Sequence, residues 1–410
     1  MTFQTIRGAT QVDFIGSDAI DILVAVDETL PIYVGGQDNN DFITLIRAGN
    51  GIISPSNVQG GQGSDTFNTL GEVQSSIFNG NKGNDFININ SSVSLSIISG
   101  GEGDDYFTSP TALISSTLNG NDGRDTILFS GSADGASILG GPDDDSLIFS
   151  GSKSLRNSRL NGNAGNDFLS MSGFGSGSVG TLLTEVTVFG GPGDDILTAS
   201  GGANGSGLVG FILSGDNDND QITGSAQADT LLGGTGLDTI IGSEGADQIF
   251  GGLGADTFKG SAKETTYVIT TIEDSAATLS GTVAGFDRFE AGAFEKKTSK
   301  LDISAVASTL AGGTLSPLVT AVTTSLPLLG GAPISANDFT ALKTALDPLG
   351  VASSTSVIQT FEVTVAAGAL QGTYLWINNT NPLYDSGDLF FRTNAIGQID
   401  PTTDLLLFSS

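Results

Sequence analysis

Residues 231–258 read LLGGTGLDTIIGSEGADQIFGGLGADTF. Every nine positions an aspartate recurs with a glycine five residues before it and an apolar residue two places after it, while the positions between are almost free. A strand or helix core alone would repeat only apolar residues. A repeated glycine and a repeated carboxylate mean that a turn is being specified together with the strand that follows it.

Sliding the template G-x-x-x-x-D-x-Φ, with Φ apolar, along the chain finds fourteen copies, whose aspartates are Asp21, Asp41, Asp65, Asp85, Asp105, Asp125, Asp145, Asp167, Asp195, Asp220, Asp229, Asp238, Asp247 and Asp256. The copies are chosen by their Gly and Asp, so the Φ position is an independent test. It holds Leu23, Ile43, Phe67, Ile87, Phe107, Ile127, Leu147, Leu169, Leu197, Ile222, Leu231, Ile240, Ile249 and Phe258. In a chain that is 38% hydrophobic, fourteen apolar residues in fourteen trials arise by chance on the order of once in a million, so the internal repeat is real. A second apolar column stands two residues before the motif glycine in the first ten copies: Phe14, Val34, Val58, Phe78, Ile98, Leu118, Ile138, Leu160, Val188 and Leu213. Two apolar columns flanking a turn predict two short strands per unit, each pointing alternate side chains inward.

The spacing of the aspartates sets the architecture. From Asp21 to Asp220 the steps are mostly 20 residues, with longer steps of 22 to 28 at inserts such as GFGSGSVG (173–180); from Asp220 to Asp256 they are uniformly 9. Two nonads nearly equal one long step. The pattern predicts a mainly β protein, a long parallel solenoid of about twelve coils, each running strand, turn, strand, turn. Up to Asp220 a single edge carries the Gly/Asp turn, and the other carries polar turns such as INSSVS (89–94), TSPTAL (108–113) and SGSADGAS (130–137). After Asp220 both edges carry the motif alternately.

GGTGLDTII (233–241), GGLGADTFK (251–259), GGQGSDTFN (60–68) and GGEGDDYFT (100–108) resemble the GGxGxDxΦx nonapeptide of the RTX (repeats-in-toxin) family, over roughly residues 16–260. The resemblance implies a parallel β-roll that binds calcium between successive turns, with the fourteen aspartates as metal ligands. Calcium prefers six to eight oxygens at about 2.3–2.6 Å, from carboxylates and carbonyls. Glycine lets a turn point several carbonyls at one spot, and stacking brings the equivalent turn about 4.8 Å away, so one ion can be shared between coils. A Gly-Asp turn can also close on its own, the Asp bonding its own backbone. A column of like charges without cations would nevertheless repel. One edge stacks twelve of the aspartates and the other stacks Asp229 and Asp247, which predicts about twelve Ca2+ ions, one in each shared gap. They would offset most of the net charge of −30. Asn81, Asn121 and Asn163 replace the second glycine, which asparagine allows because it also visits the left-handed region. The turns GSDAID (16–21) and GSAQAD (224–229) depart most from the pattern. Asp104, Asp143, Asp144, Asp194 and Asp218 are extra carboxylates in the turns, either further ligands or solvated charges.

Composition excludes much else. The chain has 59 Gly, no Cys and no His, with 15 Lys+Arg against 45 Asp+Glu. Its field repels phosphate backbones and anionic lipid, so nucleic acid and membrane surfaces are poor partners. Thiolate nucleophiles, disulfides, the Ser-His-Asp triad and the HExxH zinc site are all absent. A carboxylate-pair glycosidase or a carbohydrate lyase or epimerase stays formally open, but no groove with paired carboxylates and a positive residue stands out, and the expectation is a non-enzyme. No stretch of 18 apolar residues occurs, which predicts no transmembrane segment.

The sequence predicts three regions: a short N-terminal segment (1–15), the calcium roll (16–262) and a small α+β capping or assembly domain (263–410). In the last of these, AGFDRFEAGAFEKKTSKLDISAV (284–306) resembles the segment that closes the roll in RTX proteins. SANDFTALKTALDPLG (335–350) reads as a helix with Ser335 as N-cap, and FEVTV, GTYLWIN and DLFFRT read as strands. Trp376 and Tyr374 read as core or hairpin residues. TYLWINNTNPLYDSGDLFFRTNAIG (373–397) resembles C-terminal domains of bacterial surface proteins, and the terminal TTDLLLFSS resembles type I secretion signals, although an edge strand fits it equally.

With repeats starting at residue 16, the expectation is that the roll is the protein: a secreted structural protein of the cell surface or extracellular matrix, a surface layer or filament, with copies joined head to tail. The alternative is a monomeric adhesive or ligand-binding module. Extracellular calcium levels suit such sites better than cytosolic ones. At the N-terminal end of the roll, either Phe3, Ile6 and Val12 fold across the opening or a neighbour covers it.

Overall fold

The computed structural model describes residues 32–270 apart from 47–50, 109–110, 151–153, 173–182, 201–209 and 260–264, together with separate strands on either side of that span. The chain forms two compact units, Met1–Gly215 and Asp216–Ser410.

The first unit is a parallel β-solenoid whose coils climb one strand spacing per repeat. A representative coil runs Ser56–Gln62, Thr66–Leu70 and Glu72–Gln74 before Ile77–Lys82 opens the next. Register is kept to the residue, with Phe78 opposite both Val58 and Ile98, and Ile87 opposite both Phe67 and Phe107. Both apolar columns expected from the sequence face inward wherever they are described, among them Val58, Phe78, Ile98, Phe67, Ile87 and Ile127. Alternation along each strand does this: in Ile77–Lys82, Phe78 and Gly80 are buried while Ile77, Asn79 and Asn81 face outward, and Lys82 is already exposed at the turn.

The coil differs from expectation in having three strands rather than two. The segments expected as polar turns contain a third parallel sheet, built from Ile52–Ile53, Glu72–Gln74, Val93–Ser94, Ala112–Ile114, Ser132–Asp134, Leu155–Arg156 and Leu183–Thr184. The first six of these strands each send one small or medium apolar side chain inward: Ile53, Val73, Val93, Leu113, Ala133 and Leu155 are all buried. These residues lie twelve places before the motif aspartate of the following coil, a column that the Gly/Asp template does not sample.

In the second unit the coil shortens to 18 residues. Thr230–Gly236 and Gln248–Gly254 pair with Leu231 opposite Ile249, and Thr239–Ile241 pairs with Thr257–Lys259 with Ile240 opposite Phe258. Here 224–229 and 242–247 pass directly from one main sheet to the other. The sheets continue beyond residue 262. Thr266–Val268 adds in parallel beside Gln248–Gly254, and Arg288–Phe289 beside Thr257–Lys259. Lys300–Asp302 and Leu405–Leu406 extend one sheet. The other passes from Leu389–Thr393 into antiparallel pairing with Gly372–Asn378 and then Gln359–Ala367, the strands expected at DLFFRT, GTYLWIN and FEVTV. Phe361 lies opposite Trp376 in this meander. Ser335 closes a short strand, Ile334–Ser335, and the rest of the expected helix lies outside the described residues, among which there is no helix.

At the other end, Thr2–Ile6 pairs in parallel with Asp21–Val26, and Val12–Ile15 with Ile32–Asp38. Phe3, Ile6 and Val12 therefore belong to one more coil rather than to a plug across the opening.

Candidate metal centre

Each Gly/Asp turn puts its aspartate at a corner where the chain leaves one main sheet for the next. The carboxylates form a ladder, in which the backbone N–H of each aspartate donates to Oδ1 of the aspartate one coil on. The links run from Asp41 to Asp65, Asp85, Asp105, Asp125, Asp145, Asp167 and Asp195, at 2.7–2.8 Å. In the second unit Asp220 N donates to Asp238 (2.8 Å) and Asp238 N to Asp256 (2.9 Å). Asp21 opens the strand Asp21–Val26, but its side chain lies outside the described residues.

In seven of these carboxylates one oxygen is used by the ladder, and the other is left over. Oδ2 of Asp65, Asp85, Asp105, Asp125, Asp145, Asp167 and Asp238 is buried with no hydrogen-bond partner. A buried carboxylate oxygen in that state is costly unless it meets a cation or a proton. Burial accordingly pushes these carboxyls up, against the lowering effect of the ladder hydrogen bond: Asp65, Asp85, Asp105 and Asp125 to about 7, Asp145 to about 8, Asp167 and Asp238 to about 6. The neighbouring carboxylates of the column add to the rise for Asp65, Asp85 and Asp105.

The glycine five residues before each Asp completes the site. A Cβ on Gly80 would sit 1.8 Å from Asp85 Oδ2 and 2.4 Å from the carbonyl oxygen of Gly100. Carboxylate and carbonyl oxygens from adjacent coils thus crowd the space that a side chain would fill. Among the described residues no three carboxylates converge, so any cation held here takes its remaining ligands from carbonyls. That is an all-oxygen donor set, suited to a hard divalent cation such as calcium.

The residue before each Asp forms a second ladder with the opposite sense. Ser64 N donates to Asn40 Oδ1, Asp104 N to Asn84 Oδ1, Arg124 N to Asp104 Oδ1, and Asn166 N to Asp144 Oδ1. Asp104 and Asp144, for which the sequence allows either a ligand or a solvated charge, therefore cap backbone donors of the next coil. Lys82–Glu102 (2.9 Å) and Arg124–Asp104 (3.9 Å) are exposed pairs and contribute little.

The opposite corner carries a ladder that the Gly/Asp template does not reveal. Nine residues before the motif aspartate stand Ser56, Ser76, Ser96, Ser116 and Ser158, all buried. Ser56 N donates to Ser76 Oγ, Ser76 N to Ser96 Oγ and Ser96 N to Ser116 Oγ, at 3.0–3.1 Å. The hydroxyls of Ser76, Ser96, Ser116 and Ser158 in turn donate within their own coils, as Ser96 Oγ does to Ser94 O at 2.7 Å. In the second unit the same offset holds Asp229 and Asp247, and Asp229 N donates to Asp247 Oδ1 at 3.0 Å. A neutral serine hydroxyl and an aspartate carboxylate do the same capping work at this corner, and the serine version carries no charge that a cation must balance.

Asp229 differs from the other aspartates. Ser225 N donates to its Oδ2 (2.5 Å), and Ser225 Oγ lies 3.0 and 2.9 Å from its two oxygens. The GSAQAD turn closes on its own serine. Asp229→Asn is therefore expected to leave the calcium midpoint of folding within about twofold, whereas Asp105→Asn raises it several-fold, because only the second removes a charge that faces the oxygen cradle without a hydrogen-bond donor of its own. Calcium titration followed by circular dichroism checks this, and equal shifts for the two variants would contradict it.

A stack of short parallel strands with carboxylate-and-glycine corners defines a β-roll. The family model for the RTX calcium-binding nonapeptide repeat matches the chain in four copies, at residues 155–170, 186–205, 212–240 and 223–258. The chain carries RTX repeats, and RTX repeats bind calcium. The coils between Asp41 and Asp145 lie outside the matched stretches, yet show the same ladder and the same glycine contact. No curated protein matches the chain.

Proposed function

We propose that this is a calcium-folded structural protein of the bacterial cell surface or extracellular matrix, whose copies join head to tail, with no catalytic role. Proteins with RTX repeats are typically secreted and extracellular, and no helix among the described residues is long and apolar enough to cross a membrane. The observation that carries the assembly is the first coil. Among the described residues Val12–Ile15 is the outermost strand of its sheet, and Thr2–Ile6 extends the other sheet in parallel register. Edge strands of this kind present unpaired backbone groups that either a cap or another chain must cover. A contact between two different surfaces of identical chains propagates unless a ring closes.

Electron microscopy and sedimentation of the calcium-loaded full chain test the proposal. Filaments or sheets are expected, lost on deleting residues 1–15 while the β signal in circular dichroism persists. A full-length chain that stays monomeric at high concentration with calcium overturns the assembly and leaves the monomeric adhesive module in its place.

A further inference from the structure

Where one main sheet bends into the Gly/Asp turn, successive coils of the first unit carry Gln37, Gly61, Asn81, Gly101, Asn121, Gly141, Asn163 and Gly191 at one position. From residue 61 onward glycine and asparagine alternate strictly. All eight residues have positive φ, with the asparagines at 74–81° and the glycines at 112–144°. The glycine half of the alternation has a steric cause: a Cβ on Gly101 would lie 2.2 Å from Asn81 O, and one on Gly141 would lie 1.8 Å from Asn121 O. The roll therefore has a period of two coils on this face, about 9.6 Å at a strand spacing of ~4.8 Å.

The asparagine coils read N-G-N. In two of them the side-chain amides bond to each other to make a rung across the outer face, and in the coil of Asn79 and Asn81 the first amide caps the backbone of the second. Asn81 N donates to Asn79 Oδ1 (3.0 Å), Asn119 Nδ2 to Asn121 Oδ1 (2.5 Å) and Asn161 Nδ2 to Asn163 Oδ1 (2.7 Å). Between the first two asparagine pairs the intervening coil offers the small Ser99 and Gly101, with Glu102 at the margin, and this leaves an open notch of about 370 Å³. Between the next two rungs the floor is Leu139 and Gly141, in register with Asn119, Asn161 and Asn163. Asn119 Oδ1 and Asn121 Nδ2 take no other partner among the described residues, so a central rung keeps one acceptor and one donor for a ligand. The one cation at the first notch, Lys82, is paired with Glu102 at 2.9 Å.

We infer that this face is a binding site for an uncharged polysaccharide lying along the solenoid axis. Amide rungs supply hydrogen bonds in both senses to hydroxyls, and the residues between them supply a small-to-apolar floor for a ring face. Two residues of an extended pyranose chain span about the length of two coils, so one register can be kept over successive rungs. The exposed carboxylates of Glu102 and Asp122 at the first notch disfavour anionic polymers. A protein partner would call for a larger apolar centre than Ser99 and Leu139 provide. The inference does not depend on assembly of copies.

The test uses the calcium-loaded full chain, with cellohexaose and cellobiose as soluble probes, polygalacturonate as the anionic one, and calorimetry as the readout. The hexaose is expected to bind at least tenfold more tightly than the disaccharide, and polygalacturonate more weakly than the hexaose. Asn121→Gly removes the shared rung while keeping a residue suited to positive φ, one that the neighbouring coils already use. It should weaken hexaose binding at least fivefold with an unchanged circular dichroism spectrum. Asn119→Ser, copying Ser99, should do the same. Absence of hexaose binding, equal binding by the folded variants, or a preference for polygalacturonate overturns the proposal. Variants that lose self-association instead of glycan binding would mark the face as a contact between copies, which overturns it equally.

Discussion

Stripping calcium from the protein at neutral pH is expected to unfold the roll, with loss of most of its β signal in circular dichroism and recovery when calcium is restored. Neighbouring carboxylates of one column stand about one strand spacing apart, near 4.8 Å. At an effective dielectric constant near 20, two like charges at that distance repel by roughly 3 kcal/mol. Seven links join Asp41 to Asp195 in the first unit. With every carboxylate ionised, their summed repulsion matches or exceeds the ~5–15 kcal/mol that usually stabilises a folded domain, and taking up protons instead at pH 7 costs up to ~4 kcal/mol for each carboxyl that titrates near 3.8 in the unfolded chain. Burial of the second carboxylate oxygen adds to the cost for Asp65, Asp85, Asp105 and Asp125. The apolar columns cannot offset this alone, because each coil contributes only a few side chains such as Val73, Phe78 and Ile87. Divalent ions reverse the sign of the electrostatic contribution, so binding and folding are one transition. A metal-free chain that keeps its full β signal at neutral pH would show that the ladder hydrogen bonds and core suffice without the cation.

The features legible in the sequence were those in which one residue type recurs at one offset. The Gly/Asp/Φ triplet marks the corner and the strand after it, and the aspartates marked in this way from Asp41 onward do form the ladders of both units. The third strand escaped because its inward residue varies among Ile, Val, Leu and Ala, in segments such as INSSVS whose other residues are polar. A two- or three-residue strand with one buried side chain has no alternation to detect. The serine corner escaped for another reason. Serine is common in turns, and its role as a cap depends on the coil above, where Ser96 Oγ meets Ser76 N. The same dependence on a neighbouring coil separates Asp229 from Asp105: both match the template, but only Asp229 has Ser225 folded back onto its carboxylate.

Acid is expected to replace calcium. In the unfolded chain the aspartates titrate near 3.8, whereas in the folded, metal-free roll burial raises Asp65, Asp85, Asp105 and Asp125 to about 7 and Asp145 to about 8. The folded state thus binds more protons than the unfolded one between those limits. Its stability from this source is fully present below about pH 4 and is lost as pH rises toward about 8, by at most ~1.4 kcal/mol per pH unit for each carboxyl. This is the reverse of ordinary acid denaturation, in which carboxylates that are paired in the native state lose their partners on protonation. A proton on Oδ2 removes the column charge and turns the orphaned oxygen into a donor beside the carbonyl of the next coil; for Asp85 that carbonyl belongs to Gly100. Protein freed of metal by dialysis should therefore gain β signal as pH is lowered from 8 to about 4.5, along a steep curve because several carboxyls titrate together. With saturating calcium the same change of pH should have little effect until protons compete for the carboxylates. Asp105→Asn offers an internal check, since an amide carries no charge at any pH. Its metal-free form should begin to fold at a higher pH than the parent chain, even though its calcium midpoint is worse. If metal-free protein instead loses structure steadily on acidification, the buried oxygens are solvated in solution and the column is not the element that gates folding.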